Sequence, residues 1–448
     1  MDQPLDSLTD ALLAAARSAG ADAADAIAVT GSSVSVDVRG GALEHAERSE
    51  GIDLGLRVML GQRQACVSSS DISSDTIAEM AARAVAMARE APEDPGVRQA
   101  GQGEYAADTD MSRLEMADPA PEPEPAELEE AARRAEAAAL SHERISTVES
   151  ASAAHGRRHV HLATSAGFSA GYSRTDSSLS CIAITGTGTG MERDYCGEQR
   201  LWRADLPTPE EVGHLAAERT AARAGAKKPP TGRYPVLFDE RVAGSLIGHL
   251  VSAANGTAIV RGASWLSEAM GEPVLPEGIS LVEEPHRPRA SASRLFDGEG
   301  MPTRTLPLVE DGRLVRWVLD LATAARLGLE STANAARGAS APPAPAAGNL
   351  RLTQGADSRD SLIAGMGTGL IVTSFIGATI NPTTGDYSRG ASGFWVEGGQ
   401  IAYPVYECTI AGNLRDMLRR IVPANDARPH LSRQVPSVLI EGLTLAGA

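Results

Sequence analysis

Gly51-Ile-Asp-Leu-Gly-Leu-Arg-Val-Met59 places Ile52, Leu54, Leu56 and Val58 on one parity. That alternation is the signature of a strand with one buried face. Ala26-Ile-Ala-Val, Ser33-Val-Ser-Val-Asp-Val-Arg39 and Gln64-Ala-Cys-Val-Ser68 flank it with the same period and are separated by glycine-rich turns. Connections this short imply antiparallel neighbours. Around these strands lie helical patterns at residues 5–19 and 73–91, the second with Ser74 and Asp75 as candidate caps.

Further along, residues 92–125 are acidic and proline-rich, densest at Asp118-Pro-Ala-Pro-Glu-Pro-Glu-Pro125, and read as a surface connection. A helix at 126–140, strands near 145–152, 159–164 and 178–186, and a helix at 208–224 complete an N-terminal half of residues 1–228. Lys227-Lys-Pro-Pro-Thr-Gly232 marks the boundary to a second half, 232–448, that starts with the strand Tyr234-Pro-Val-Leu-Phe238. Later segments such as Gly312-Arg-Leu-Val-Arg-Trp-Val-Leu319 and Gly393-Phe-Trp-Val-Glu397 are strand-like, and Ala341-Pro-Pro-Ala-Pro-Ala-Ala347 reads as a mobile loop. The expected fold class is α+β: an N-terminal antiparallel sheet with helices, then a β-rich domain, barrel-like or sandwich.

The chain has 448 residues, 41 basic and 58 acidic, for a formal charge of -17. Such a field repels phosphate backbones and anionic lipid, so nucleic acid is not expected as a direct partner. Cys66, Cys181, Cys196 and Cys408 are scattered without CxxC spacing, which fits a reducing cytosol better than a disulfide framework. Met1-Asp-Gln-Pro-Leu-Asp is acidic, unlike the basic start of an export signal. Residues 361–385 carry no charge, yet four glycines before Asn381-Pro382 and the β-branched run Leu370-Ile-Val-Thr-Ser-Phe-Ile376 indicate a buried strand rather than a membrane span.

Residues 244–256, Gly-Ser-Leu-Ile-Gly-His-Leu-Val-Ser-Ala-Ala-Asn-Gly, form the most informative chemical segment. Leu246, Ile247, Leu250, Val251 and Ala254 recur at helical spacing, as in a zinc peptidase helix. Such a helix needs two imidazoles about one turn apart and a glutamate to activate the bound water. Here His249 stands alone. His155, His159 and His161 share strand parity and form a weaker metal candidate, opposed by the charges of Arg157 and Arg158. His142-Glu143 lacks a following histidine, because Ser146 and Thr147 occupy the places where one is needed. The glycines of Gly365-Met-Gly-Thr-Gly369 are explained by close packing, since no Gly-Lys pair follows them. In Gly385-Asp-Tyr-Ser-Arg-Gly390, Arg389 is a candidate for holding a carboxylate such as a peptide C-terminus. The structural alternative there is a salt bridge that stabilises the turn. No G-x-S-x-G elbow and no activated cysteine is present.

Several segments together carry a family resemblance: Gly248-His-Leu-Val, Gly365-Met-Gly-Thr-Gly-Leu-Ile-Val372, Gly385-Asp-Tyr-Ser-Arg-Gly-Ala-Ser-Gly-Phe-Trp-Val-Glu397, Thr409-Ile-Ala-Gly-Asn-Leu-Arg-Asp-Met417 and Gly51-Ile-Asp-Leu-Gly-Leu-Arg-Val. They resemble the TldE, or PmbA, type of subunit in the TldD/TldE metallopeptidase family, over nearly the whole chain. In that family the TldD subunit carries H-E-x-x-x-H and a third, cysteine ligand. Registering the flanking residues puts Gly248, His249 and Ala253 at the first three positions and the third ligand near Val435, far from Cys408.

The resemblance therefore implies a cytosolic subunit with no catalytic or metal residue of its own, paired with a TldD-like partner that holds zinc. It further implies unfolded or short peptides and peptide leaders as substrates, gripped as an added strand. His249, Tyr387, Ser388, Arg389 and Trp395 are the residues expected to line the substrate chamber. Two rivals remain at this stage. One is a peptidase active alone, using His249 with Glu268 or the histidine strand. The other is a non-proteolytic binding protein, modulating a toxin or a topoisomerase such as DNA gyrase.

Overall fold

The computed structural model describes residues 4–447; the acidic start at Met1, Asp2 and Gln3 lies outside them. Six antiparallel strands make the first sheet: β1 Ala23–Arg39, β2 Ala42–Leu60, β3 Arg63–Ser69, β4 Ile145–Thr164, β5 Ser169–Thr185 and β6 Glu192–Arg200, ordered β3-β2-β1-β4-β5-β6. Leu54, Leu56 and Val58 are fully buried on one face, so the alternation of the opening stretch is realised. Four helices cover that face: α1 Leu5–Ser18, α2 Ser74–Glu90, α3 Pro125–Leu140 and α4 Pro209–Ala221. The α2 cap is Ser73, one residue before the expected pair, and its hydroxyl accepts from Thr76 N.

Two pairs of expected strands are each one long strand. Residues 26–29 and 33–39 merge into β1, and 145–152 and 159–164 merge into β4. Gly31, read as punctuation between strands, instead sits in the ladder between β2 and β4, where an added Cβ would lie 3.3 Å from the Arg157 carbonyl oxygen. The glycine there serves close approach of two backbones, not a turn.

Up to the start of α3 at Pro125, the 92–125 segment contains no strand and only one short 3-10 turn, Met111–Leu114, yet it is not purely superficial. Met111, Leu114 and Met116 are buried with Phe168, Leu295 and Phe296, which lays the segment between the first sheet and the second half of the chain. The 341–347 loop is also pinned rather than free: Ala344–Pro345 pairs with Ala335–Ala336, and Asn255 Nδ2 donates to the Pro345 oxygen at 2.7 Å. The 312–319 strand shrinks to Arg313–Leu314.

The β-rich half is built around a barrel, with a smaller five-stranded sheet beside it. β7 Gly232–Phe238, β8 Gly369–Ile380, β9 Asp386–Glu397, β10 Gln400–Asn413 and β11 Val438–Ala446 run β10-β9-β8-β7-β11, and β10 pairs with β11 to close the ring at five strands. Closure removes the exposed edges that an open sheet would leave. The uncharged 361–385 segment supplies β8, and among the described residues no helix is long and apolar enough to cross a membrane. Helix α5, Glu240–Ala253, is capped by Asp239, whose side chain accepts from Arg241 N at 3.2 Å. It packs Leu246, Ile247 and Leu250 against Val236, Leu370 and Tyr387 of the barrel.

Between the halves lies a buried charged junction. Asp25 on β1 contacts Arg57 on β2, with Arg57 Nη2 2.5 Å from Asp25 Oδ2, and it also contacts Arg337 from the second half. Nearby, Glu299 takes a hydrogen bond from Leu321 N at 2.9 Å, and Asp297 accepts from the backbone of Glu299, Met301 and Ala335.

Candidate functional site

Helix α5 and strand β9 bring one polar cluster together. Ser245 and His249 are one turn apart on the helix, and Tyr387 and Arg389 share one face of the strand. The two pairs meet: Arg389 Nη1 stands 3.5 Å from Ser245 Oγ, and the His249 and Tyr387 rings lie 6.1 Å apart at 72°.

Both rings carry an unsatisfied polar atom. Tyr387 is 2% exposed and its hydroxyl donates to no described residue, and the buried Nε2 of His249 has no partner. Burial pushes the Tyr387 phenol up to about 12, with the Arg389 cation acting the other way. Burial, then Arg389, pushes the His249 imidazole down, which keeps it neutral at pH 7. Unpaired buried groups are costly in a folded interior, and functional sites are where such costs are tolerated. Together they offer a neutral imidazole, a phenolic donor and a cation to an incoming group.

Arg389 does not make the salt bridge considered as its structural role. Its guanidinium lies over the Phe375 ring at 4.0 Å and its Nε donates to the Gly377 oxygen at 3.0 Å; among the described residues it pairs with no carboxylate. The turn is held without it, by Asn413 Nδ2 to Asp386 Oδ1 at 3.0 Å and Thr384 Oγ1 to Asp386 Oδ2 at 2.6 Å. The guanidinium therefore keeps donors free for a ligand.

Ser388 and Trp395 are placed elsewhere. Ser388 follows Tyr387 directly, so it projects from the opposite face of β9. Trp395 lies eight residues further on, roughly 25 Å along an extended strand. It is packed against Tyr234 at 4.9 Å, with Nε1 donating to Glu397 Oε1 at 3.0 Å. Glu268 is exposed and has no hydrogen bond or ion pair with His249. Ser245, Phe375 and Arg433 join the neighbourhood without having been anticipated; Ser245 alone had a local signal, its four-residue spacing from His249.

The positions that the resemblance aligns with metal ligands hold other kinds of residue. A Cβ added to Gly248 would come 3.0 Å from Arg433 Nη1, so a cation abuts the first position. Ala253 and Val435 are buried aliphatics. Cys408 is buried, its Sγ 3.3 Å from the Ala391 oxygen, and burial pushes its thiol up to about 11. Each histidine of the β4 trio faces a hydroxyl: His155 Nδ1 to Ser177 at 2.8 Å, His159 Nδ1 to Ser173 at 2.6 Å, and His161 Nδ1 to Thr9 at 2.9 Å. Among the described residues no three His, Cys, Asp or Glu side chains converge as a metal-binding group.

Residues 24–88, 118–224 and 231–447 match the models of the PmbA/TldA metallopeptidase domain 1, central domain and C-terminal domain. The chain is 38% identical over 437 residues to the Metalloprotease PmbA of Escherichia coli O157:H7, covering 97% of this chain and 94% of that protein. It is 35% identical to the Metalloprotease PmbA homolog of Haemophilus influenzae, covering 96% and 94%. Among solved structures, a Bacteroides thetaiotaomicron protein described as a candidate modulator of DNA gyrase superposes with a TM-score of 0.90 at 27% identity, covering 99% and 98%. TldE of Thermococcus kodakarensis shares the fold, with a TM-score of 0.86 at 19% identity over 98% and 100%.

Proposed function

The chain belongs to the PmbA/TldA metallopeptidase family, and from that premise we propose that it is the TldE-type subunit of a heteromeric zinc metallopeptidase in the cytoplasm. In this reading a TldD-like partner holds the zinc and performs hydrolysis, and this chain shapes the chamber that receives unfolded or short peptides and peptide leaders. One observation carries the reading: the guanidinium of Arg433 stands against Gly248, where a ligand imidazole and its metal would need to be. Zinc requires three or four N, S or O donors. His249 alone, with Ala253 and Val435 at the other positions the resemblance aligns with ligands, does not fit that requirement.

This chain's part in the reaction is then positioning. Arg389 and Tyr387 donate to a carbonyl or carboxylate of the bound peptide, and neutral His249 accepts from a peptide N–H or a hydroxyl. These groups sit on a barrel strand and a packed helix, so they are held in place before the peptide arrives.

Reconstitution tests the assignment. The purified chain should retain no stoichiometric zinc after dialysis and cleave no peptide alone, and its addition should raise cleavage of an unfolded peptide by a TldD-like partner. Retained zinc with activity that chelation abolishes would instead establish an independent peptidase. Cleavage by the partner that is indifferent to this chain would sink the subunit reading and leave the non-proteolytic one. Within the reconstituted complex, Arg389→Ala should lower kcat/KM by about tenfold or more, the usual weight of a hydrogen bond from a charged donor. Undiminished turnover with normal assembly removes Arg389 from the site.

A further inference from the structure

The face of the first sheet opposite its four helices holds a cavity of about 570 Å3. The strand registers place its floor residue by residue. Across the middle, Gly51 on β2 pairs with Gly31 on β1, Gly31 pairs with Arg158 on β4, and Arg158 pairs with Arg174 on β5. One half of this row therefore carries no side chains, and the other half carries two guanidinium groups. In the row two residues away on one side, Asp53, Val29, Val160 and Tyr172 line up in the same order. On the other side the row ends at Asp176. One end of the cavity is closed by residues 337–339 of the second half, with Ala339 set so tightly on Gly55 that an added Cβ would lie 2.4 Å from its oxygen.

The polar groups here are under-used. The Arg158 side chain has no hydrogen bond or ion pair with any described residue, although the chain carries a formal charge of -17. Arg174 spends one donor on the Ser291 oxygen, at 2.7 Å. The Tyr172 hydroxyl has no hydrogen-bond partner among the described residues and lies close enough to Arg158 and Arg174 to feel both charges. Arg337, by contrast, is committed to Asp25. Two cations with donors to spare and a phenol beside a bare, glycine-lined floor match an anion carried on a slim backbone. Asp53 and Asp176, flanking the arginine row, are acceptors that a peptide's N–H groups can use, and they repel an anion placed anywhere but between them.

We propose that this cavity binds a carboxylate-bearing stretch of an extended peptide, with the carboxylate on Arg158 and Arg174 and the peptide backbone over Gly31 and Gly51. The carboxylate is a peptide C-terminus or an aspartate or glutamate side chain. The inference rests on the peptide-handling reading above and adds a second contact, on the N-terminal sheet, distant in sequence from His249 and Arg389. Its consequence is selectivity: among unfolded peptides, those that end in or contain a carboxylate at the right place are retained longest.

Binding to the full-length chain, without a partner subunit, tests this separately from cleavage. Three labelled peptides on one neutral scaffold serve as probes: C-terminally amidated with two glutamates, acid-free with a free C-terminus, and amidated without any carboxylate. One or both carboxylate peptides should bind more tightly than the neutral one, and the tighter of the two identifies the source. Arg158→Gln should remove about tenfold or more of that affinity and leave the neutral peptide unchanged, with Arg158→Lys between. Arg158 has no partner to lose, so thermal unfolding of the variant should match the parent and exclude misfolding. Equal affinity for all three peptides, or an Arg158→Gln variant that binds like the parent, overturns the proposal, as does Arg158-dependent binding of an oligonucleotide in preference to peptide. Failure of reconstitution together with carboxylate-dependent binding would reject the subunit assignment alone.

Discussion

Arg337→Met is expected to lower the unfolding free energy by about 3–5 kcal/mol, the range for removing one partner of a buried ion pair. Arg337 is 1% exposed at its side chain and contacts Asp25, 4% exposed, across the boundary between the two halves. Asp25 also receives Arg57 Nε at 2.6 Å, so the carboxylate is shared between two cations. Removing Arg337 leaves Asp25 charged, buried and dependent on Arg57 alone. The long apolar stem of methionine preserves most of the packing, so the loss reads the charge rather than a cavity. Urea unfolding at pH 7 measures it. Asp25→Asn in the same chain should recover part of the loss, because the carboxylate that was stranded is then neutral. Additive losses in the double variant would show that the contact between Asp25 and Arg337 contributes nothing of its own.

That junction also shows where sequence reading runs out. Strand periodicity reports which face of one element is buried, and so the alternation at residues 51–59 and the helical spacing at 244–256 were legible: β2 buries Leu54, Leu56 and Val58, and α5 buries Leu246, Ile247 and Leu250. It reports nothing about which charge meets which over hundreds of residues. Arg337 stands 312 residues beyond Asp25 in a loop without periodicity, so their pairing has no local signature. Glycine is equally ambiguous from one sequence, since Gly31 suits either a turn or close approach and only the neighbouring strands decide. The β9 cluster was half legible for a geometric reason. Tyr387 and Arg389 sit two residues apart and share a face, which brings both to α5. Trp395 also belongs to the tempting aromatic motif, but strand length carries it into the packed barrel beside Tyr234. Ser388 is turned away by the period of two.

Glu299→Gln is expected to flatten a pH dependence that the parent chain shows between about pH 5 and pH 8. Burial, reinforced by the neighbouring Asp297 charge, pushes the Glu299 carboxyl up to about 8, and Asp297 is raised by its own burial. A carboxyl with a folded pKa above its unfolded value holds its proton more tightly in the folded state. Its contribution to stability is therefore complete below the unfolded value and is lost as pH rises through the folded one. With about 1.4 kcal/mol per unit, the loss approaches about 5 kcal/mol at its ceiling, and the two carboxyls share it because each disfavours ionisation of the other. Glutamine retains an oxygen to accept from Leu321 N, which Glu299 binds at 2.9 Å, and has no proton to lose. The variant should thus be the more stable of the two above pH 8 and nearly equal to the parent at pH 5. Paired urea titrations across that interval decide it. Parallel profiles would place the proton elsewhere, whereas convergence at low pH and separation at high pH would establish that the carboxyl beside the junction is held neutral by its surroundings.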